Sequence, residues 1–305
     1  MVSIKTLRNG YDLPVKGLDN GFFYPIHIVA LTMITVSFAC ALTILIISFR
    51  RRAAFFGRPK TERFVVYLAI CDGAFNIFHS MDHLHYLTTK SHPRPPALCS
   101  FYSFMMFIFV MSQMMCVNAI AINAFYMMYF GKSLYFGKND YRLLCCIFGL
   151  PICLLTISAI LNKLGPNGYF CAMDGVTGGA ILLMFTTAPS ILILVVNCIL
   201  YALIWQKLRT ESKRIQDSIG KEASSAKASH RAVRTMMLFV VMFVIQWTAS
   251  SVFGVWEYID DAPPFVVLFT VLLANSGGLL NGFIFIYMYR KRVKTENETT
   301  MTTKA

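Results

Sequence analysis

ALTILIISFRRRAAFFGRPKTERFVVYLAICD, residues 41–72, decides the fold. An uncharged apolar stretch stops at Arg50, Arg51 and Arg52. A short loop adds Arg58, Lys60 and Arg63, and a second apolar stretch opens at Phe64. Two apolar segments joined by a cationic loop can cross a bilayer and return, with the loop on the cytoplasmic side. The pattern continues in both directions. Apolar runs cover roughly 25–49, 64–88, 99–130, 142–162, 177–205, 233–257 and 264–289. Each reaches the ~20 residues a helix needs to span hydrocarbon. Only helices and closed barrels satisfy their backbone in lipid, and these runs are long and non-alternating, so helices are expected. The fold class read here is an all-α membrane protein, a seven-transmembrane helix bundle.

Composition agrees. Hydrophobic residues make up 56% of the 305 and charged residues 14%, against a usual charged share of about a quarter. Too little polar surface remains to coat a water-soluble globule. The net charge of +13 lies between the apolar runs, which fits contact with anionic membrane lipids rather than nucleic acid. Most of the 28 Lys and Arg follow runs 1, 3, 5 and 7, so the N-terminus is expected outside and the C-terminus inside. The chain then divides into an extracellular N-terminus (1–24), a seven-transmembrane domain (25–290) and a cytoplasmic tail (291–305). Residues 1–24 lack the apolar centre of a cleavable signal peptide. Loop 206–232 reads as part helix extension and part mobile linker, and the closing TENETTMTTKA reads as irregular. Ser224, Ser225, Ser229, Thr299 and Thr300 are candidate phosphorylation sites.

Nine cysteines are present without a CxxC pair, which argues against a zinc or redox motif. Cys99 and Cys171 alone sit at the outward edges of runs. A bridge between them would tie the loop holding Cys171 across the top of helix 3; the alternative is two unrelated thiols.

At this point the chain resembles the G protein-coupled receptor superfamily, over residues 25–290. YLAICDG (67–73) looks like the helix 2 motif with a buried aspartate, Asp72. Cys99 and Cys171 occupy that family's disulfide positions. Pro189 matches its helix 5 proline and is followed by Asn197 and Tyr201. FVIQW (243–247) looks like its aromatic pair, Phe243 and Trp247. GLLNGFIF (278–285) stands where NPxxY normally stands and keeps Asn281. The set YLAICD, GLP (149–151), PSILILVVNCILY and GLLNGFIF is most similar to cyclic-AMP-receptor-like receptors, with rhodopsin-like receptors next. The usual Asp-Arg-Tyr falls on Asn123, Ala124 and Phe125, so the arginine is missing.

The resemblance implies an extracellular ligand, a heterotrimeric G protein that meets Asn123, Ala124, Phe125, Arg231 and Arg234, and a pocket floored by Trp247, with Asn275 beside it. It places Asp72 near Asn281, as a polar knot, a sodium or a proton site; Gln113 and Gly277 or Gly278 replace groups expected around sodium. Asn118 and Asn197 read as interhelical glue. The methionines of 105–115 read as core packing, with a copper-binding or adaptable ligand surface as the alternative.

HSMDHLHYLTTKSH (79–92) holds four of the six histidines. Helical spacing puts His79, Asp82, His83 and Tyr86 on one face with Asp72, while His85 and His92 fall off it as loop residues. A metal site would need further ligands from other helices, and a pH sensor is an alternative. The reading adopted is one wall of a ligand pocket. No metal, cofactor or enzymatic activity is expected, since HExxH, GxSxG and phosphate-loop motifs are absent. Residues 264–289 contain no lysine for a retinal Schiff base. A transporter, or a receptor-like scaffold that does not couple, is the competing function.

Overall fold

The computed structural model describes residues 7–50, 54–216 and 221–304. Nine α-helices are assigned among them: α1 Phe23–Phe49, α2 Lys60–Thr89, α3 Pro96–Phe130, α4 Tyr141–Ile160, α5 Gly179–Leu182, α6 Ala188–Gln216, α7 Lys221–Ile259, α8 Pro264–Ala274 and α9 Gly277–Lys304. They supply seven spans long and apolar enough to cross a membrane. The fifth joins α5 and α6, the sixth lies in α7, and the seventh joins α8 and α9.

Local sequence sets the ends and breaks. Pro96 and Pro264 open α3 and α8, where a missing N–H is harmless. Gly131 closes α3 in the left-handed region, φ 67. Between α5 and α6, Leu183–Thr187 forms a π-helical turn. Pro189 follows after one residue, Ala188. Its ring and missing N–H are incompatible with the regular bond to the carbonyl four residues back, which favours the wider turn.

The second and third spans are each 67% buried and the fifth only 17%. Of the two, α3 has more neighbours, packing against α2, α4, α6 and α7, while α1 packs on α2 and α9. Large apolar side chains such as Leu42, Leu192, Ile199 and Phe269 stay exposed on the outer faces. In water such a surface would drive association; against lipid tails it costs nothing.

One end of the bundle carries the only two strands among the described residues, an antiparallel hairpin of β1 Leu164–Pro166 and β2 Cys171–Met173 with Gly165 opposite Ala172. Asn167 Oδ1 accepts from the Tyr169 and Phe170 amides at 3.0 Å and shapes the turn. A disulfide joins Cys99 at the start of α3 to Cys171. This is the bridged alternative of the two readings.

Two expectations change, those for His85 and for the tail, and the one for His92 holds. His85 lies inside α2 rather than in a loop. His92 is in the loop, but it is buried at 8% exposure. The stretch 295–304 continues α9 instead of being irregular, because the seventh span is already helical and nothing up to Lys304 breaks it. The described part of loop 206–232 extends α6 to Gln216 and resumes as α7 at Lys221.

Candidate functional site

Beneath the hairpin lies a cavity of about 130 Å³ between α2, α3, α6, α7 and α8. Its walls are mostly apolar: Phe75, Met106, Phe107, Met114, Phe170 and Phe253. The methionines of the 105–115 run divide accordingly, with Met106 and Met114 at the cavity and Met111 in the core. Three lining residues carry a buried polar atom with no protein partner: His79 Nδ1, Trp247 Nε1 and Ser250 Oγ. An unpaired buried polar atom costs about 1–3 kcal/mol, so three around one hollow mark where a ligand or water would bond. Neither lysine nor arginine lines the cavity, and its two carboxylates are already engaged, Asp174 by the Gly10, Val176 and Thr177 amides and Glu257 by Lys16 at 3.7 Å.

The roof is tied down from several sides. Asp82 Oδ2 accepts from the Cys171 amide at 2.9 Å. Asp174 Oδ2 accepts from the Gly10 amide at 2.7 Å, and Asp174 Oδ1 caps Val176 and Thr177. Lys16 donates its amide to Gly168 O at 3.0 Å and its ammonium to Asp261 at 2.6 Å. The N-terminal segment thus fastens the hairpin to the end of the sixth span. His92 Nε2 meets Leu13 O at 2.8 Å while its Nδ1 faces Tyr86 Oη at 3.0 Å. This pairing suits a neutral ring that donates once and accepts once, and burial lowers the His92 pKa from its ordinary value. Burial also pushes the nearby Tyr11 phenol up to about 12, leaving it a neutral donor to Pro93 O at 3.0 Å.

Of the residues expected in the pocket, His79 and Trp247 line the cavity. Asp82, His83, Tyr86 and Asn275 are buried beside it and do not. The common face of His79, Asp82, His83 and Tyr86 is present, but it points largely at α1 and the hairpin. His83 Nδ1 lies 2.6 Å from His27 Nδ1, and His83 Nε2 lies 3.1 Å from His79 Nε2. Opposite ring nitrogens are used, so the imidazoles form a row rather than a converging ligand set. His27 was not singled out by sequence; its only signal was a polar residue in the first turns of an apolar run.

Asp82→Ala should lower the thermal unfolding midpoint of the detergent-solubilised protein by the equivalent of about 1–3 kcal/mol, because the Cys171 amide loses its buried acceptor. Asp82→Asn keeps an oxygen there and should retain most of the stability. Equal losses in both variants would refute that role for the hydrogen bond.

Below Trp247 lies a polar node. Asp72 accepts from Asn281 Nδ2 at 2.7 Å and from Gln113 Nε2. Gln246 Nε2 reaches Ala274 O at 3.0 Å and Gln113 Oε1 at 3.5 Å. Gly277 permits this closeness, since a Cβ there would lie 2.2 Å from Asp72 Oδ1. Trp247 is a shared wall between the cavity and a void of about 10 Å³ that borders Gln113, Gln246 and Asn281. Phe243 is buried on the node side. Asn197 is fully buried and its amide has no protein partner, Asn118 Oδ1 likewise has none, and Tyr201 stacks on Trp205.

At the opposite end Asn123 and Ala124 are buried and Phe125 is half-buried. Asn123 Oδ1 accepts from the Leu134 amide at 2.9 Å, so this position pins the loop after α3. The same loop is held by Arg63, which bonds both carboxylate oxygens of Asp140 at 2.7 and 3.0 Å. Tyr67 Oη donates to Asp140 at 2.9 Å. Arg231 and Arg234 are exposed at the start of the sixth span. The side chains of Ser224, Ser225, Ser229, Thr299 and Thr300 lie outside the described residues.

Residues 39–285 match the family described as 7 transmembrane receptor (rhodopsin family). Among solved structures, squid rhodopsin is similar in fold, with a TM-score of 0.69 at 14% identity, covering 88% of this chain and 77% of that one. No curated protein matches the sequence.

Proposed function

This chain belongs to the 7 transmembrane receptor (rhodopsin family), and on that footing we propose that a ligand in the cavity beneath the hairpin selects the helix arrangement offered to a heterotrimeric G protein. The protein is a G protein-coupled receptor, multi-pass in the plasma membrane. On our reading the hairpin end faces outside and the loop held by Arg63 and Asp140 faces the cytoplasm, as the basic residues require. The segments 1–24, 25–290 and 291–305 are then ectodomain, receptor domain and tail.

The observation that carries the ligand site is the trio of unpartnered buried atoms at His79, Trp247 and Ser250 inside a hollow whose exposed walls are mainly apolar. Such a site takes a compact neutral molecule with hydrogen-bonding groups. The ligand is held without a covalent bond of the retinal kind, because no lysine lines the cavity. A ligand shifts the equilibrium only by binding one arrangement better. Trp247 supplies the differential contact: Gln246 is its chain neighbour and belongs to the Asp72 node. A ligand that tilts Trp247 therefore strains the contact between the sixth and seventh spans. Asp82, His83, Tyr86 and Asn275 act on this site indirectly, by fixing the roof and the adjoining helices.

The test is a cyclic AMP and calcium readout against a ligand panel in cells expressing the chain, with Asp72→Asn as the node variant. For an activating ligand, losing one hydrogen bond in His79→Phe or Ser250→Ala should weaken potency about tenfold, or ~1.4 kcal/mol. Unchanged potency in both would place the ligand elsewhere. The second reading, a receptor-like scaffold, is favoured by Ala124 standing where an arginine is usual; silence with every G protein would favour it. Likeness to cyclic-AMP-receptor-like receptors in YLAICD, GLP and GLLNGFIF remains our sub-family reading of those motifs.

A further inference from the structure

We propose that the cavity is filled from the bilayer, through a waist between the fifth and sixth spans that the Ser190–Ser251 hydrogen bond holds shut, and that its ligand is a small neutral amphiphile dissolved in the membrane. The proposal rests on reading the cavity as the ligand site.

A second hollow of about 450 Å³ lies on the outer face between α6 and α7, with Ile191, Val252, Val255, Trp256 and Ile259 around it. Its lining carries no charge, so it suits an alkyl chain and not an ionic headgroup. Ser251 lines this groove and the interior cavity alike. Ser190 lines the cavity and meets Ser251 with the two Oγ atoms 3.0 Å apart. One hydrogen-bonded pair of small side chains therefore lies between the two hollows. A hydroxyl pair is a weak closure, since its bond is exchangeable for one to an arriving hydroxyl, ester or amide.

The local backbone favours opening here. The π-helical turn Leu183–Thr187 ends just before Ser190, and wide turns of this kind sit where helices adjust. Gly254, one turn beyond Ser251, leaves only backbone facing Thr187: a Cβ there would fall 2.3 Å from Thr187 Oγ1. The aqueous side is the more firmly closed. The hairpin is fixed by the disulfide, by Asp82 and by Lys16. A molecule with its polar head at Ser250, Trp247 and His79 and its tail through the waist would fill both hollows.

The test uses the full chain in nanodiscs, with Trp205→Phe and Trp256→Phe leaving Trp247 as the sole tryptophan of three. Ser190→Cys with Ser251→Cys adds a closure that oxidation locks and reduction frees. The probe is a dibrominated octadecanol delivered in the lipid, whose bromines quench tryptophan at contact. In the reduced form Trp247 should be quenched as in the parent; in the oxidised form quenching should be several-fold slower. Ser251→Phe, which fills the waist without chemistry, should slow it too, and each single cysteine variant should not respond to oxidation. Equal quenching in oxidised and reduced forms would overturn the route. Failure to quench Trp247 in the reduced form would overturn the ligand class. Gated quenching alongside a silent G protein readout would support the route and count against the signalling reading alone.

Discussion

Arg63→Ala should cost about 3–5 kcal/mol of folding stability and remove most of the receptor from the cell surface. The Arg63 guanidinium and Asp140 carboxylate are buried, at 10% and 6% side-chain exposure. Both carboxylate oxygens are bonded by the fork, and the third guanidinium direction is used by the Phe56 and Arg58 carbonyls at 2.8 and 2.7 Å. Removing the arginine leaves the buried carboxylate with the Tyr67 hydroxyl and the more distant Lys60 charge in place of a bidentate partner. The cost is that of an uncompensated buried charge rather than of a lost attraction. It follows that Arg63→Ala with Asp140→Ala should be milder than Arg63→Ala alone. Arg63→Lys should fall between, since an ammonium cannot span both oxygens and both carbonyls. Surface labelling and thermal unfolding of the purified variants read this directly. A double variant as damaged as the sum of its parts would show that the pair is not coupled.

Gly278→Ala should be nearly as damaging, at about 3 kcal/mol. A Cβ at 278 would stand 2.2 Å from the Ser37 carbonyl oxygen and 2.8 Å from Ser37 Oγ. A backbone carbonyl cannot rotate away, so α1 and α9 must separate. Separation also breaks the bond from the Gly278 amide to Ser37 Oγ, 2.9 Å, and disturbs the one from Asn76 to the same oxygen, 3.0 Å. Three spans meet at that hydroxyl. Gly282→Ala, one turn on, is the control: its Cβ would lie 3.4 Å from Cys40 Cβ, where slight adjustment suffices. Similar unfolding midpoints for the two alanine variants would refute the packing argument.

The seven spans were legible because each is long enough, apolar enough and bounded by charge, and those properties are local. Asp72 and Asn281 were legible through resemblance, and Asp72 also because an ionised group in an apolar run calls for a partner. The row His27–His83–His79 was only half legible. Helical spacing placed His79 and His83 on one face, but it could not say that α1 would bring His27 against them. Arg63 looked like one more positive charge of a cytoplasmic loop; only the fold shows that its guanidinium forks onto an aspartate 77 residues away.

Sequence by itself determined that this protein crosses the membrane seven times as helices, because hydrophobic length and charge placement act on each segment independently of the others. Only the tertiary structure decided that His79 faces the cavity while Asp82 holds its roof, that Asp140 answers Arg63, and that Ser190 meets Ser251. Those outcomes depend on which face each helix turns to its neighbours. In an apolar solvent that choice is made by close packing and polar satisfaction between distant residues, and no local pattern encodes it.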